Sequence, residues 1–119
     1  MHNFKELIIW NKSMEITLDV YQETKKFPEE EKFNLVSQIR RSAVSIPSNI
    51  AEGAGRNSDK EFNQFLGIAK GSSFELQTQL IISYRLNFIS DERFEQLNET
   101  IEEVQKMISG FQSKLKSNV

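Results

Sequence analysis

Hydrophobic residues recur along this chain at alternating spacings of three and four, the repeat expected of helices that each bury one face. Four such segments are separated by short polar stretches, and they predict helices over residues 5–26, 29–54, 58–88 and 91–115. Two prolines and five glycines are too few turn residues for an all-β domain. Because the connections are short, consecutive helices are expected to run antiparallel. The predicted fold is all-α: an antiparallel up-and-down four-helix bundle that forms one domain over residues 1–119.

Each predicted helix has its own candidate core positions. In the first helix they are Leu7, Trp10, Met14, Leu18 and Tyr21. In the second they are Val36, Ile39, Ala43, Ile46 and Ile50, with Leu35 beside them. In the third the pattern leaves alternatives open: Phe62, Phe65, Ile68 or Ala69, Ser72 or Ser73, Leu76, Leu80 and Ile81. The fourth has a regular heptad seam, made of Phe94, Leu97, Ile101, Val104, Ile108, Phe111 and Leu115.

Residues at the ends of these segments are typical of helix boundaries. Pro28 ends the first helix and opens the second, because proline restricts the residue before it and needs no amide donor in a first helical turn. Gly53 and Gly55 are expected to stop the second helix. Ser58 and Glu61 form a capping box at the start of the third.

The second predicted helix carries an additional stripe of polar and mostly small side chains beside its hydrophobic one. Its members are Gln38, Arg41 or Ser42, Ser45, Ser48 with Asn49, and Glu52. A solvated helix face usually carries long charged residues, so small polar residues indicate close approach by another helix. That neighbour is either a helix of the same chain or a helix of another subunit.

The third predicted helix carries a matching run of small residues, which includes Gly67, Gly71 and Ser72. Glycine inside a helix costs about 1 kcal/mol relative to alanine, so two glycines four residues apart indicate tight packing. With the turn placed at residues 54–57, Arg41 falls opposite Gly71 and Ser45 falls opposite Gly67. This register predicts an ion pair between Arg41 and Glu75.

Pro47 lies within the small polar stripe of the second helix. A proline inside a helix removes one hydrogen bond and clashes with the carbonyl four residues earlier, here that of Ala43. We therefore expect the helix to bend at Pro47 or to break near Ser45. The side chains expected to satisfy the exposed polar groups are those of Ser45, Ser48 or Asn49.

Composition and charge exclude several classes of function. Fifteen Lys and Arg residues against 17 Asp and Glu residues give a net charge of −2, which disfavours strong nonspecific binding of nucleic acid. The absence of cysteine excludes disulfides, thiolate nucleophiles and Cys-based zinc sites. The one histidine, His2, leaves no Ser-His-Asp or di-iron motif. We expect no enzyme, no catalytic, cofactor-binding or metal-binding residues, and no small-molecule substrate.

The hydrophobic runs are also far shorter than the about 20 residues of a membrane-spanning helix, and the first residues lack the pattern of a signal peptide. We therefore expect a cytoplasmic protein that has no membrane partner.

One stretch and the residues around it form a longer signature, made of residues 38–53, then Arg56, Phe65-Leu66, Ile68-Ala69, Gly71-Ser72 and Glu75. With the opening pairs Leu7 and Trp10, and Phe27-Pro28 with Glu31 and Leu35, this signature resembles that of the 23S rRNA intervening-sequence proteins, also called the four-helix-bundle protein family. The resemblance covers nearly the whole chain. Its most specific part is the run Ser-Ile-Pro-Ser-Asn-Ile-Ala-Glu-Gly at residues 45–53.

The resemblance implies an antiparallel four-helix bundle that assembles into a ring-like homopentamer. The family is similar to accessory variability proteins of diversity-generating retroelements, which bind a reverse transcriptase and its RNA. We therefore expect a non-catalytic, homo-oligomeric helical scaffold whose macromolecular partner is RNA or an RNA-handling protein. The predicted structural or interface residues are Arg41, Ser45, Pro47, Ser48, Asn49, Glu52, Gly53, Gly67, Gly71, Ser72 and Glu75.

Two other functions stay open at this point. The first is direct RNA binding through a basic patch on the second and third helices, made of Arg40, Arg56, Lys60 and Lys70. The second, more distant, is a hydrolase that uses carboxylates and a metal ion.

Overall fold

A computed structural model describes residues 2–117. It contains four long helices: α1 (Ile8–Thr24), α2 (Leu35–Ala54), α3 (Asp59–Arg85) and α4 (Asp91–Ser117). Two short 3-10 turns lie at Phe4–Glu6 and Glu29–Glu31, and no strand occurs among the described residues. Each helix packs against the next in the chain and α4 packs back against α1, so α1 and α3 lie diagonally across the bundle. The predicted all-α bundle is confirmed.

Side-chain contacts show that neighbouring helices run in opposite directions. Lys12 near the start of α1 is paired with Glu103, midway along α4, at 3.5 Å. Asp19, further along α1, is instead 3.8 Å from Arg93 near the start of α4. The same inverse order relates α2 to α3 and α3 to α4. The bundle is therefore antiparallel and up-and-down, with one core shared by all four helices.

The core positions predicted for α2 and α4 are buried or packed against the core, since the hydrophobic stripe of each helix faces the bundle axis. In α3 the structure decides between the alternatives. Ala69 and Ser73 are fully buried, whereas Ile68 is exposed and Ser72 is half-buried.

The predicted core face of α1 was wrong in part: Leu7 and Trp10 are half-buried and pack against the core, but the residues that follow them do not fill it. Ile9, Ile16 and Val20 fill the core, whereas Leu18 and Tyr21 are exposed to solvent. Apolar residues occupy two sides of α1, so their spacing does not decide which side is inward. The buried side also carries polar residues such as Ser13 and Thr17, whose hydroxyls donate to carbonyls of preceding residues, and this dilutes its hydrophobic pattern.

Several helix boundaries differ from prediction, among them those of α1, which spans Ile8–Thr24 rather than residues 5–26. The three glutamates after Pro28 form a separate 3-10 turn, and α2 begins six residues later than residue 29, at Leu35. Asn34, with φ −116° and ψ −99°, interrupts the helical conformation just before it. α3 ends at Arg85 rather than at residue 88, because Asn87 adopts a left-handed backbone with φ 65°.

The start of α3 agrees with prediction. Ser58 accepts a hydrogen bond from the backbone amide of Glu61 at 3.1 Å. The Glu61 carboxylate accepts from the Ser58 hydroxyl at 3.3 Å instead of reaching back to a backbone amide. Of the helices in residues 2–117, none has both the length and the apolar character that a bilayer crossing requires.

Candidate functional site

The small polar residues of α2 lie along its contact with α3, where they form what we term the polar track: Ser42, Ser45, Asn49, Ser72 and Glu75. Ser42 Oγ donates to Glu75 Oε1 at 2.5 Å, and the hydroxyls of Ser45 and Ser72 are 2.8 Å apart. Asn49 Nδ2 donates to the backbone carbonyl of Ser45 at 2.8 Å. The polar track is therefore a set of mutually satisfied groups between two helices of one chain.

The register of these two helices differs from the predicted one. Ser45 lies opposite Ser72 instead of Gly67, five residues further along α3. Arg41 is exposed, and within residues 2–117 it forms no ion pair with Glu75, whose carboxylate accepts from Ser42 instead. The predicted Arg41–Glu75 pair was wrong, because the chain crosses between the helices after residue 54 and re-enters a helix only at residue 59.

The close helix approach occurs at Gly53 rather than at the glycines of α3. A Cβ atom added to Gly53 would lie 2.7 Å from Phe65 Cβ and 2.8 Å from Phe62 Cδ1. By contrast, a Cβ on Gly67 would meet no atom closer than 3.8 Å, and one on Gly71 would meet nothing within 4 Å. The expected tight packing of Gly67 and Gly71 against α2 is thus wrong, and Gly53 contacts α3 instead of terminating α2.

Pro47 neither breaks nor ends α2, which is a continuous helix over Leu35–Ala54. The carbonyl of Ala43 loses its usual amide donor to the proline, and Thr17 of α1 replaces it: Thr17 Oγ1 lies 3.1 Å from that carbonyl. The same hydroxyl is 2.7 Å from the carbonyl of Ser13, so one proton serves two acceptors. The sequence analysis expected residues of α2 to satisfy this carbonyl and missed Thr17. The one indication in the sequence is that Thr17 is a polar residue among the apolar positions of α1.

The four basic residues proposed as a nucleic-acid patch are not brought together. Arg40 faces α1, where its Nε donates to Thr24 Oγ1 at 3.0 Å. Arg56 lies at the opposite end of α2, roughly 20–25 Å away along the helix axis, and is 3.0 Å from the carboxylate of Glu52. Lys60 is exposed near that same end, and Lys70 is half-buried midway along α3.

The side of α3 that points away from the bundle, here called the outer face of α3, combines large apolar and small residues. Ile68, Phe74, Ile82 and Leu86 lie on or beside it and are each 45 to 52% exposed. Gly67, Gly71, Gln64 and Thr78 lie between them and are also exposed. Between Phe62 and Tyr84 the helix carries two charged residues, Lys70 and Glu75. Glu75, one turn after Gly71, and Arg85, one residue before Leu86, are exposed on the same face. The outer face is therefore largely apolar and carries two charged side chains.

A second apolar surface, here called the α1–α2 groove, is a concavity of about 350 Å³ lined without any charged side chain. Its lining includes Trp10, Met14, Val44, Pro47, Ser48 and Ala51. Leu18 and Tyr21, exposed on α1, follow Met14 at helical spacing and extend the apolar surface along that helix.

The ring side chains of Tyr84 and His2 have defined partners. The Tyr84 hydroxyl donates to Asp91 Oδ1 at 2.7 Å, and this hydrogen bond, with the charge of the carboxylate, raises the pKa of Tyr84 above 10.0. His2 packs against Phe62 and Phe111, with ring centroids 5.0 and 5.9 Å away.

Within the part of the chain that the structure describes, no three His, Asp or Glu side chains cluster closely enough to hold a metal ion.

Residues 5–110 match the 23S rRNA-intervening sequence protein family. The chain belongs to this family. The match includes both the polar track and the outer face of α3.

Among solved structures, the chain is similar to a protein of unknown function from the S23 ribosomal protein family of Bacteroides thetaiotaomicron. The two share 28% sequence identity at a TM-score of 0.82, over 89% of this chain and 96% of that one. No curated protein matches the chain.

Proposed function

We propose that this protein of the 23S rRNA-intervening sequence family is a non-catalytic helical scaffold that self-associates, as a homopentamer, and binds a macromolecular partner. The observation that carries the proposal is the outer face of α3. A helix that faces water on one side normally places charged residues there. This one places four half-exposed apolar side chains and two glycines there, with two exposed charged residues, Glu75 and Arg85, among them.

The solvent-facing side of α4 differs from the outer face of α3 in composition. α4 has a comparable solvent-facing side, and it carries many charged residues, among them Glu95, Glu99, Glu102, Glu103 and Lys106. Exposed apolar patches that are contiguous along a helix are typical of protein–protein contact sites. The outer face of α3 therefore has the character of an interface.

A binding function also agrees with the chemistry of the polar track. Its hydroxyl, amide and carboxylate groups are hydrogen-bonded to one another between the helices. Such a network holds two helices in register and presents no free nucleophile beside a base. We therefore propose a geometric role in which repeated copies of one weak surface give avidity.

For the partner we propose RNA or an RNA-handling protein in the cytoplasm, on the strength of family membership. Direct contact with RNA by one chain has less support, because Arg40 faces α1, far from Arg56 and Lys60, and Arg56 is paired with glutamates. A repeated subunit multiplies whichever contact is made.

Two measurements test the proposal. Light scattering of the purified protein should give a mass of about five times 13.8 kDa, near 69 kDa, and a mass of one chain at micromolar concentration would refute self-association. Affinity capture from the native cell, followed by sequencing of bound RNA and identification of bound proteins, should return a specific RNA or an RNA-handling protein. Binding of naked RNA that weakens steeply with salt would instead support direct phosphate contact.

A further inference from the structure

A small concavity, here called the basic concavity, lies where the chain leaves α1 and turns towards α2. Its volume is about 160 Å³, and three basic residues line it: Lys25, Lys32 and Arg40. Its apolar lining includes Phe27 and Val36. The basic concavity shares no residue with the polar track or with the outer face of α3, so neither of those features accounts for it.

The Arg40 side chain is held in place by uncharged groups. Its Nε donates to Thr24 Oγ1 at 3.0 Å, and its Nη2 donates to the carbonyl of Tyr21 at 3.4 Å. The Thr24 hydroxyl donates its own proton to the carbonyl of Val20 at 2.8 Å, which leaves its lone pairs for Arg40. The guanidinium also lies over the Tyr21 ring, 4.6 Å from the centroid. Arg40 is therefore preorganised before any ligand binds.

The Arg40 guanidinium keeps hydrogen-bond donors that nothing else in the described chain uses. A guanidinium has five N–H donors, and Thr24 and Tyr21 together occupy two of them. Among residues 2–117, Arg40 forms no ion pair with a carboxylate. Arg56 and Arg93, by contrast, are paired with glutamates at 3.0 and 2.9 Å. The remaining donors of Arg40 belong to the planar fork that binds two oxygens of one anion.

The charges around the basic concavity favour an anion. Lys25 and Lys32 are exposed, and within the described residues neither forms an ion pair. Glu29 lines the concavity as well, whereas Glu30 and Glu31, in the same 3-10 turn, do not. The carbonyl end of α1 adds about half a negative charge. The three basic residues outweigh these groups and leave a net positive charge of about 1.5.

We propose that the basic concavity binds a phosphate group through Arg40, Lys25 and Lys32. A phosphate monoester carries a charge of about −1.5 to −2 at pH 7 and so balances the concavity, which a carboxylate would do only in part. The Lys32 ammonium lies 5.6 Å from the centroid of the exposed Phe33 ring, and a cation–π contact at an exposed site is weak enough to exchange for an anion. A free phosphate compound and the terminal phosphate of an RNA share this chemistry. The site lies within one chain, so it does not depend on self-association.

Equilibrium dialysis against labelled inorganic phosphate, at an ionic strength held constant with chloride, measures the binding directly. The wild type should bind phosphate at one site per chain. Arg40→Gln should weaken this binding by at least about tenfold, because charge-assisted hydrogen bonds are lost. Lys25→Gln and Lys32→Gln, at exposed positions, should each weaken it about two- to fivefold. Circular dichroism and thermal unfolding establish that each variant retains the helical fold.

Two further variants test whether the effect belongs to this concavity. Arg41→Gln is the matched control, because Arg41 is exposed, follows Arg40 directly and does not line the concavity. It should change the affinity by less than about twofold, since exposed charges are screened. Glu29→Gln should instead tighten binding about two- to fivefold, because it removes a carboxylate from the lining. A loss in Arg41→Gln as large as that in Arg40→Gln would overturn the proposal, as would a wild type that binds no phosphate.

Two short RNAs of one sequence, one with a terminal phosphate and one with a terminal hydroxyl, distinguish the two sources. If the site takes an RNA end, the phosphorylated RNA should bind at least about tenfold more tightly, and inorganic phosphate should displace it. If the site takes a small phosphate compound, the two RNAs should bind alike, and inorganic phosphate should still bind through Arg40. Equal binding of the two RNAs without any binding of inorganic phosphate would overturn the proposal and leave the scaffold function untouched.

Discussion

Thr17 and Pro47 act on the same buried carbonyl, that of Ala43, and this makes their interaction measurable. Pro47 removes the amide that would donate to this carbonyl, and the Thr17 hydroxyl takes its place at 3.1 Å. Ala43 is 0% exposed, so water does not reach the carbonyl if Thr17 is changed. Replacing Thr17 by valine, which has nearly the same shape, removes the donor and leaves the acceptor unsatisfied.

The expected cost follows from that geometry. A buried acceptor that loses its partner costs about 1–3 kcal/mol, and in a chain of this size each kcal/mol lowers the unfolding temperature by roughly 4 °C. Pro47→Ala restores an amide donor to the Ala43 carbonyl. In that background Thr17→Val should therefore cost under about 0.5 kcal/mol, and the difference gives a coupling free energy of about 0.5–3 kcal/mol.

Urea unfolding of the wild type, both single variants and the double variant measures this coupling, at one fixed protein concentration because association adds to apparent stability. Thr100→Val is the control, since Thr100 donates to the carbonyl of Gln96 in a helix without proline. It should cost little in either background. Equal costs of Thr17→Val with and without Pro47 would refute the role assigned to the Thr17 hydroxyl.

Three further predictions follow from single features of the fold. Gly53→Ala should destabilise the chain by about 1–3 kcal/mol in chemical unfolding, because two phenylalanine side chains of α3 lie within 2.8 Å of the added Cβ. Gly110→Ala, whose Cβ would meet nothing within 4 Å, should instead stabilise it by up to about 1 kcal/mol. Asn87→Gly should raise the unfolding temperature, since Asn87 holds φ 65° and relief of that strain is worth about 1 kcal/mol. Tyr84 should ionise above its usual pKa of 10.0 in an ultraviolet titration, and Asp91→Asn should lower that pKa.

The sign of the last effect can be checked against folding stability. A pKa that is higher in the folded chain than in the unfolded chain contributes stability that is present at neutral pH, and it is lost as the pH rises through the folded pKa. Stability of the wild type should therefore fall above pH 10.0 more steeply than that of Tyr84→Phe. A Tyr84 pKa unaffected by Asp91→Asn would contradict the assignment, as would a Gly53→Ala variant as stable as Gly110→Ala.

The hydrophobic periodicity of this sequence determined the helix count, the fold class and the core faces of α2 and α4. Those two helices have a clear apolar stripe opposite a polar side, so each helix buries its apolar residues in only one orientation about its own axis. Likewise Ser58 is a local signal, because its hydrogen bond to the Glu61 amide involves residues three apart. The signature at residues 45–53 pointed to the family that the match over residues 5–110 establishes.

Tertiary structure alone decided the features that depend on two helices at once. The inward side of α1, the register that places Ser45 beside Ser72, and the choice of Gly53 as the point of close approach each depend on where a neighbour lies. The donation from Thr17 to the carbonyl of Ala43 joins residues 26 apart in the chain. Spacing along one helix specifies which residues share a face, but the translation and rotation of that helix against its partner come from packing the whole core.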